Sequence, residues 1–527
     1  MTMRALLKCF LLLVAAAFLA GKTSAKPTPV QKKALAFGWD TIYVNPEDIL
    51  AHADLFDKTP FDGVVMRIQD IPLSNGGRIS GESLFSDDPW NRNDLAKYVR
   101  IFRDMRKHRS LRESFLSVLL QPSVRVSFAD DAPWRRATEN FAAAAWLVKE
   151  GGMPGLLIDT EDYWHRYQFR YEESDGIDYD TAVRLARRRG QEMFGAVFRE
   201  FPEIALLSLY FLHQTPNYIT FNDSLDPAGR ARTYGDLWLP FVNGIFDVVP
   251  VTARIIDGNE DSYFSQFQQK SGFVSYYYMH SDARALIEPE NRAKFSQVFQ
   301  SGAAVYLDMY SNPTGSTYFM HARGFGGRAD RLVENSVCAL RGTDEYVWFY
   351  GEKLAFVPWR EVTKKRQNYH SWTNQTWEAA LPGFHDAIRF TKDPFGEVRR
   401  RAAAAEANGV ANSFNGTVET NGFDKGTKTA AATGLTPGAY YAFTGECRGK
   451  WAEVRTILTT GNDDNWLYGW EYPAVSRPDP AGWRRILGLV RMGPDTNGFR
   501  VYYGRRDAGD DKVNFRNFKA LKLPLEP

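Results

Sequence analysis

Cysteine is scarce: Cys9, Cys338 and Cys447 are all that 527 residues contain. Their number and spacing give neither a disulfide framework nor a zinc site. An excess charge of one sign is missing too. Lys and Arg total 65 against 63 Asp and Glu, a net +2 with no long basic run, which excludes the electrostatic footprint of a nucleic-acid binder. The eight His form no His-x-x-x-His or His-x-His pair, so no metal centre and no cofactor is expected from them. No Gly-x-Ser-x-Gly elbow occurs, and Cys338 sits in a predicted helix without a His beside it, which argues against a nucleophilic hydrolase of that kind. Beyond residue 20 no apolar run is long enough to cross a bilayer.

The one long apolar run lies at the start. Met1 to Lys8 carries Arg4 and Lys8, Cys9 to Ala20 is apolar, and Thr23-Ser24-Ala25 offers small residues. That order reads as a cleaved secretory signal over 1–25, with an uncleaved anchor as the alternative. Cys9 lies too early in the run for lipid attachment. An exported chain with so little Cys points to a bacterial source and a secreted or periplasmic location. Aromatics are plentiful, 14 Trp and 25 Tyr; most suit a core, and the surplus suits stacking on sugar rings.

From about 35 to 400, short apolar runs alternate with segments of helical period. The runs are Leu35–Asp40, Phe61–Ile68, Phe115–Gln121, Met153–Asp159, Ile204–Phe211, Val248–Ile256, Ala303–Tyr310 and Tyr346–Glu352. Helices are expected at Pro46–Phe56, Asp94–His108, Trp134–Lys149, Thr181–Phe201, around Trp238, Asn291–Phe299, Arg328–Leu340 and Thr376–Arg401. Eight βα units predict a closed α/β TIM barrel, (β/α)8, over 26–405. An open doubly wound sheet is the alternative, but no glycine-rich phosphate loop follows the first run.

The central stretch is Met153-Pro-Gly-Leu-Leu-Ile-Asp159-Thr-Glu161-Asp162. It starts as a buried strand and ends with two carboxylates two residues apart, which alternation puts on one side. The bland reading is a helix cap or a salt bridge to Arg166 or Arg170. Other predicted strand ends carry Trp39 and Asp40, Arg67 and Gln69, Gln121, His213 and Gln214, Arg254, Asp257 and Glu260, Asp308, Tyr310 and Asn312, and Trp348, Tyr350 and Glu352. In a barrel these ends share the catalytic face. Paired carboxylates with aromatics are the equipment for glycosidic cleavage, one protonated and one ionised. Glu161 is the expected acid/base, with Asp159 orienting it or acting as nucleophile. Glu352, then Asp308, are candidates for the carboxylate across the barrel. The remaining polar and aromatic ends are expected to bind a carbohydrate substrate. Asp159, Glu161 and Asp162 as a Ca²⁺ or Mg²⁺ site is the weaker alternative, since hard cations need more oxygen ligands.

Ile158-Asp159-Thr160-Glu161 inside an exported barrel resembles barrel-type glycoside hydrolases, and its Asp-x-Glu tail is similar to the end of the chitinase-like signature. That resemblance implies Glu161 as proton donor, Asp159 as its assistant, and a substrate N-acetyl group as nucleophile. The sequence departs from the fuller signature, with Met153 to Ile158 where earlier Asp and Gly positions fall.

After Arg399 to Gly409 the pattern changes. From 411 to 527 short alternating segments separated by Gly, Thr, Asn and Asp predict a β-sandwich. Leu435-Thr-Pro-Gly-x-Tyr440 and Val513 to Lys522 resemble jelly-roll modules appended to bacterial glycan-degrading enzymes. Trp466, Trp470 and Trp483 either bind carbohydrate there or belong to its core. The whole reads as an exported glycoside hydrolase. The alternatives are a non-catalytic glycan-binding protein on the same scaffold and a cell-surface interaction protein; oligomeric state is silent.

Overall fold

A computed structural model describes residues 32–72, 78–81, 83–86, 88–163, 167–212, 227–264, 279–280, 283–321, 328–360, 372–420, 427–449, 452–460, 463–464, 474–475, 478–493, 495–505 and 512–523. The predicted signal, His213, Gln214, Arg166, Trp466 and Trp470 lie outside these residues.

A parallel barrel forms the first part. Its strands are β1 (Lys33–Gly38), β2 (Gly63–Met66), β3 (Phe115–Leu119), β4 (Gly155–Asp159), β5 (Ala205–Ser208), β6 (Arg254–Asp257), β7 in two segments (Phe299–Ser301 and Ala303–Tyr306), and β8 (Tyr346–Gly351). The first segment of β7 pairs with β6 and the second with β8, so the two edges of the nine-segment sheet are the two halves of one strand. The barrel closes there. At the break Gly302 donates to the Asp257 carbonyl at 2.7 Å. A Cβ on Gly302 would lie 2.8 Å from that same oxygen, so only glycine lets the strand step across. Beyond it the Ser262 hydroxyl stands in for the lost neighbour, donating to the Ala304 carbonyl at 2.8 Å and accepting from the Ala304 amide at 2.7 Å. The backbone groups freed by the step are thereby satisfied.

The strands are buried on both faces and therefore read as nearly continuous apolar runs. Around them pack helices whose starts follow capping chemistry: α1 (Arg92–Met105) behind Asn91, α2 (Asp131–Glu150) behind Asp130, and α3 (Tyr179–Glu200) behind Asp178, each cap side chain accepting a first-turn amide. On α1, Leu95, Tyr98, Phe102 and Met105 are buried at spacings of three and four. The ring continues with α4 (Trp238–Val248), α5 (Arg292–Val298) and α6 (Arg328–Arg341).

Several expected bounds move, for local reasons. Trp39 and Asp40 do not end β1; they open a one-turn helix, Trp39–Ile42. The predicted strand Val248–Ile256 begins only at Arg254, because Val248 ends α4 and Pro250 lies in the turn between them. Asp308–Ser311 is helical, so Tyr310 leaves the strand direction. The predicted helix Thr376–Arg401 is three pieces, Trp377–Ala380, α7 (Phe384–Lys392) and α8 (Pro394–Ala407). Pro382 and Pro394 lack the amide an unbroken helix needs.

The second part is a sandwich of two antiparallel sheets of four strands. Its strands are β9 (Thr427–Thr433), β10 (Tyr440–Arg448), β11 (Ala452–Thr460), β12 (Asp463–Asp464), β13 (Ala474–Val475), β14 (Trp483–Arg491), β15 (Gly498–Arg505) and β16 (Asn514–Leu523). The sheet orders are β9-β15-β11-β12 and β13-β14-β10-β16. Phe443, Phe499, Phe515, Phe518 and Cys447 fill the space between them. The outer side of the second sheet carries Tyr440, Ala442, Leu521 and Leu523 into the barrel's own core. There the Tyr440 ring lies 6.3 Å from Phe390 of α7. Lys519 adds an ion pair to Glu406 of α8 at 2.7 Å.

At the N-terminal mouth of the barrel Lys33 bridges Glu113 (2.9 Å) and Glu345 (2.8 Å), and Arg254 also pairs with Glu345. The Glu345 side chain is 5% exposed. Its carboxyl is held below the ordinary range: hydrogen bonds from Lys33 and Arg254 outweigh the opposing effect of burial. Glu345→Gln takes the carboxylate from Arg254 and leaves Lys33 with Glu113 alone, and is expected to cost about 3 kcal/mol in urea unfolding at pH 7. Because the folded pKa is depressed, that stabilisation is present above the ordinary carboxylate range and is lost as pH falls through the folded value. The wild-type and variant stabilities should therefore converge in acid.

Candidate active site

β4 delivers the central carboxylates. A Cβ on Gly155 would come within 1.8 Å of the Ala205 carbonyl oxygen, so glycine sets the close seat of β4 against β5. Asp159 ends the strand at 1% exposure. A lone buried carboxylate would be prohibitive, and Arg67, just past β2, answers it with an Nη2–Oδ2 contact of 2.9 Å. Arg67 is itself 6% exposed, and its Nε donates to Ser117 of β3 at 3.3 Å. The other Asp159 oxygen accepts the Glu161 amide at 3.1 Å, which turns the chain outward. Of the two partners considered for this pair, Arg166 lies outside the described residues and Arg170 pairs with Glu172.

Tyr163 joins the two carboxyls. Its hydroxyl lies 3.0 Å from Asp159 Oδ2 and 2.5 Å from Glu161 Oε2. A phenol has one proton to give. Both carboxyl oxygens lie within reach of that one proton, so the Tyr163 hydroxyl donates to Asp159 or to Glu161. Burial and then the Asp159 charge raise the Glu161 carboxyl above its ordinary value, while Tyr163 and Arg67 oppose that rise. The same burial and anions hold the Tyr163 hydroxyl firmly protonated. The Tyr163 ring is 53% exposed, so the group over the acid is open to solvent.

An aromatic wall faces this pair. Tyr263 stacks on Tyr350 (5.9 Å, 9°) and on Tyr306 (5.2 Å, 30°), with the Trp348 ring edge-on to Tyr263 at 5.3 Å. Tyr350 accepts from Trp39 Nε1 at 3.0 Å and donates to Glu352 at 3.3 Å, and Tyr306 also hydrogen-bonds Glu352. Glu352 lies close enough for its charge to help raise Glu161. Trp348 is buried and donates to the Gly258 carbonyl at 2.9 Å, so it supports the wall from the core.

Glu260, after β6, is the third carboxyl of the cluster. Burial, then Glu161 and Asp159, push it up to about 9, so it is neutral at pH 7. It is 8% exposed and hydrogen-bonded to Tyr263.

The remaining expected site residues divide. Asp308 is fully buried, accepts the Glu352 amide at 2.7 Å, and is pushed up by burial to about 6; it positions Glu352 and does not face the cleft. Asp40 is buried, accepts the Phe356 amide and Trp359 Nε1, and is raised by burial to about 7. It ties the β1 end to the segment after β8. Gln121 donates to the Thr160 carbonyl at 3.0 Å, and Asp257 accepts the amides of Leu212 and Asn259; both brace loops. Arg254 belongs to the opposite mouth, with Glu345. Tyr310 turns back to Asn335 of α6. Asp162 accepts the Tyr167 amide, and no group of three metal-ligating side chains is placed to hold an ion among the described residues.

Sequence reading missed Tyr163, Tyr263 and Tyr306. Tyr163 stands two and four residues after the carboxylates it joins, a signal present but unread. Tyr263 comes from the helical turn after β6 and Tyr306 from the end of β7, and only the folded barrel brings them together.

Removing the Tyr163 hydroxyl removes a hydrogen bond that lowers the Glu161 pKa. In Tyr163→Phe the Glu161 carboxyl, followed by infrared difference titration against Glu161→Gln, is expected to titrate at higher pH than in the wild type. A fall would contradict the bridge.

No family model matches the chain, and no curated protein matches it either. Solved structures similar to it include a GH5_18 protein from Streptomyces cattleya in complex with GlcNAc, at 10% identity over 69% of this chain and 82% of that chain, TM-score 0.38. A GH18 chitinase from Pseudoalteromonas aurantia is similar at 12% identity over 61% and 94%, TM-score 0.29. A D-psicose 3-epimerase from Clostridium cellulolyticum H10 with D-tagatose is similar at 10% identity over 69% and 98%, TM-score 0.32. At these identities and scores the likenesses carry no argument about chemistry, which rests on the site itself.

Proposed function

We propose that the chain is an exported glycoside hydrolase that cleaves an oligo- or polysaccharide with Glu161 as the proton donor. The observation that carries this reading is the Asp159–Tyr163–Glu161 cluster. It pairs one carboxyl with Arg67 and raises the pKa of a second one beside it, at the open end of a closed barrel. Two carboxyls with environments that push them apart are what acid-assisted glycosidic cleavage requires.

In the proposed reaction the Glu161 proton passes to the leaving glycosidic oxygen as the bond to the anomeric carbon lengthens. The charge that develops on Glu161 is then met by the Tyr163 hydroxyl and the nearby Arg67 cation. Glu352, held by Tyr350 and Tyr306, is the proposed carboxylate that attacks the anomeric carbon or activates water. Tyr350, partly exposed and backed by the buried Tyr263 and Tyr306, is the proposed stacking surface for a sugar ring. Glu260, neutral, is a hydrogen-bond donor in the same cluster. Export is proposed on the basic and apolar residues of 1–25.

The test is a polysaccharide panel incubated with the mature chain and with Glu161→Gln. Loss of cleavage by about 10²–10⁴-fold, the usual share of a general acid, with melting temperature unchanged, is the expected result. Glu352→Gln is expected to lose cleavage as well. Cleavage that survives in Glu161→Gln sinks the assignment. Binding without any wild-type cleavage would favour a non-catalytic glycan-binding protein.

A further inference from the structure

Three strand ends are laced together beside the acid. The Glu260 amide donates to the Leu209 carbonyl at 3.2 Å, and the Leu209 amide donates to the Ile158 carbonyl at 3.1 Å. The chain after β6 is thereby tied through the end of β5 to β4, whose end carries Asp159 and Glu161. Asn259 makes the turn in the left-handed region, at φ 51°, a conformation that Asn accepts more readily than most residues. Its amide donates to Asp257 Oδ1 at 3.0 Å. Glu260, next in the chain, is 8% exposed.

The Glu260 carboxyl lies within reach of the charges of Glu161, Asp159 and Asp261, and Tyr263 donates a hydrogen bond to it. Tyr210 is a further neighbour. A neutral carboxyl has one oxygen that accepts and one that carries the proton. Tyr263 occupies the accepting oxygen. Oε2 is buried and has no hydrogen-bond partner among the described residues. Glu260 thus keeps an unspent O–H donor inside the carboxyl cluster. Such a donor is costly, and the cost persists at sites where another state of the protein repays it. Because Oε2 is enclosed, the partner that repays it is a neighbouring side chain and not a sugar.

Glu161 is the neighbour whose charge changes. Around it stand Asp159, Tyr163, Arg67 and Glu352. Tyr163 has one proton, with Asp159 and Glu161 both in reach of it. An anion on Glu161 therefore gains from a second donor. Burial and then the Glu161 charge hold the proton on Glu260. Coupling of this kind is reciprocal: a Glu161 charge that keeps Glu260 protonated is a charge that protonated Glu260 favours.

We infer that Glu260 is a positioning residue for Glu161, its Oε2 hydroxyl held in reserve for the Glu161 carboxylate and bonded to it once Glu161 has given up its proton. The role in turnover rests on Glu161 being the proton donor; the contact itself does not.

The test is infrared difference titration of the full mature chain, with the Glu161 band identified against Glu161→Gln. A hydrogen bond made only to the ionised form lowers a carboxyl's pKa, so losing it raises the titration. In Glu260→Leu, Glu161 is expected to titrate about one pH unit higher, the tenfold that a hydrogen bond to a charged group supplies. Glu260→Gln is neutral and keeps an N–H donor, and should move Glu161 by less than half as much. In the wild type the Glu260 band, identified against Glu260→Gln, should stay protonated throughout the range in which Glu161 ionises. An unmoved Glu161 in Glu260→Leu, a fall in either variant, or Glu260 ionising before Glu161 would overturn the inference. Should Glu260→Leu not fold, the sign of the shift in Glu260→Gln and the order of the two wild-type bands decide it. The expected titrations without cleavage of any glycan would uphold the pair and remove only the hydrolase reading.

Discussion

Everything at the candidate site depends on the seventh strand exchanging one neighbour for another at Gly302. Without that step the nine segments are an open sheet, and the ends of β4, β6 and β8 lie along a line. With it they surround one opening, and Tyr263, Tyr306 and Tyr350 stack into a wall opposite Asp159 and Glu161. The step would cost hydrogen bonds in the ladder, and Ser262 restores both at Ala304. At the far mouth Lys33, Arg254, Glu113 and Glu345 close the barrel with charge. The two mouths thus use carboxylates in opposite ways. At one they are fully paired; at the other they outnumber their cations.

That imbalance governs the chemistry. Asp159 has Arg67 at 2.9 Å. Glu161 shares the same neighbourhood and forms no ion pair among the described residues, and burial and the Asp159 charge act on it together. Glu260 lies further along the same series, raised to about 9. Among the described residues one cation, Arg67, pairs with this cluster of three carboxyls, and burial with mutual repulsion raises two of them above their ordinary values. Tyr163 is the group through which the first two remain in hydrogen-bond contact.

Much of this was legible in the sequence. Alternating apolar runs and helical periods gave the barrel, because strands buried on both faces must be apolar throughout and surface helices must be amphipathic. Asp159 and Glu161 stood out because carboxylates ending such a run need a partner or a use. Arg67 was on the catalytic face for the same reason, although its pairing with Asp159 is a contact over 92 positions that no local rule foretells. Asp40, Asp308 and Asp257 misled because a buried carboxylate that caps backbone amides looks, in sequence, like one that faces a substrate. Arg254 misled because the strand start was set too early, and a shift of a strand's bounds moves a residue from one mouth to the other. Trp483 was visible as a candidate contact for sugar; that the Arg448 and Arg516 guanidinium groups lie over its ring became visible only when β10 and β16 were placed beside β14.

Barrel and sandwich share more than a linker, since Tyr440, Leu521 and Leu523 complete the barrel's core. The central claim remains the protonated state of Glu161 and its use, and leaving-group dependence tests it most directly. A 2,4-dinitrophenyl glycoside needs no proton on departure, whereas a natural glycan does. For Glu161→Gln the account predicts dinitrophenol release within about tenfold of wild type, beside a loss of about 10²–10⁴-fold on the unactivated glycan. Equal losses on both substrates, or none on either, would contradict it.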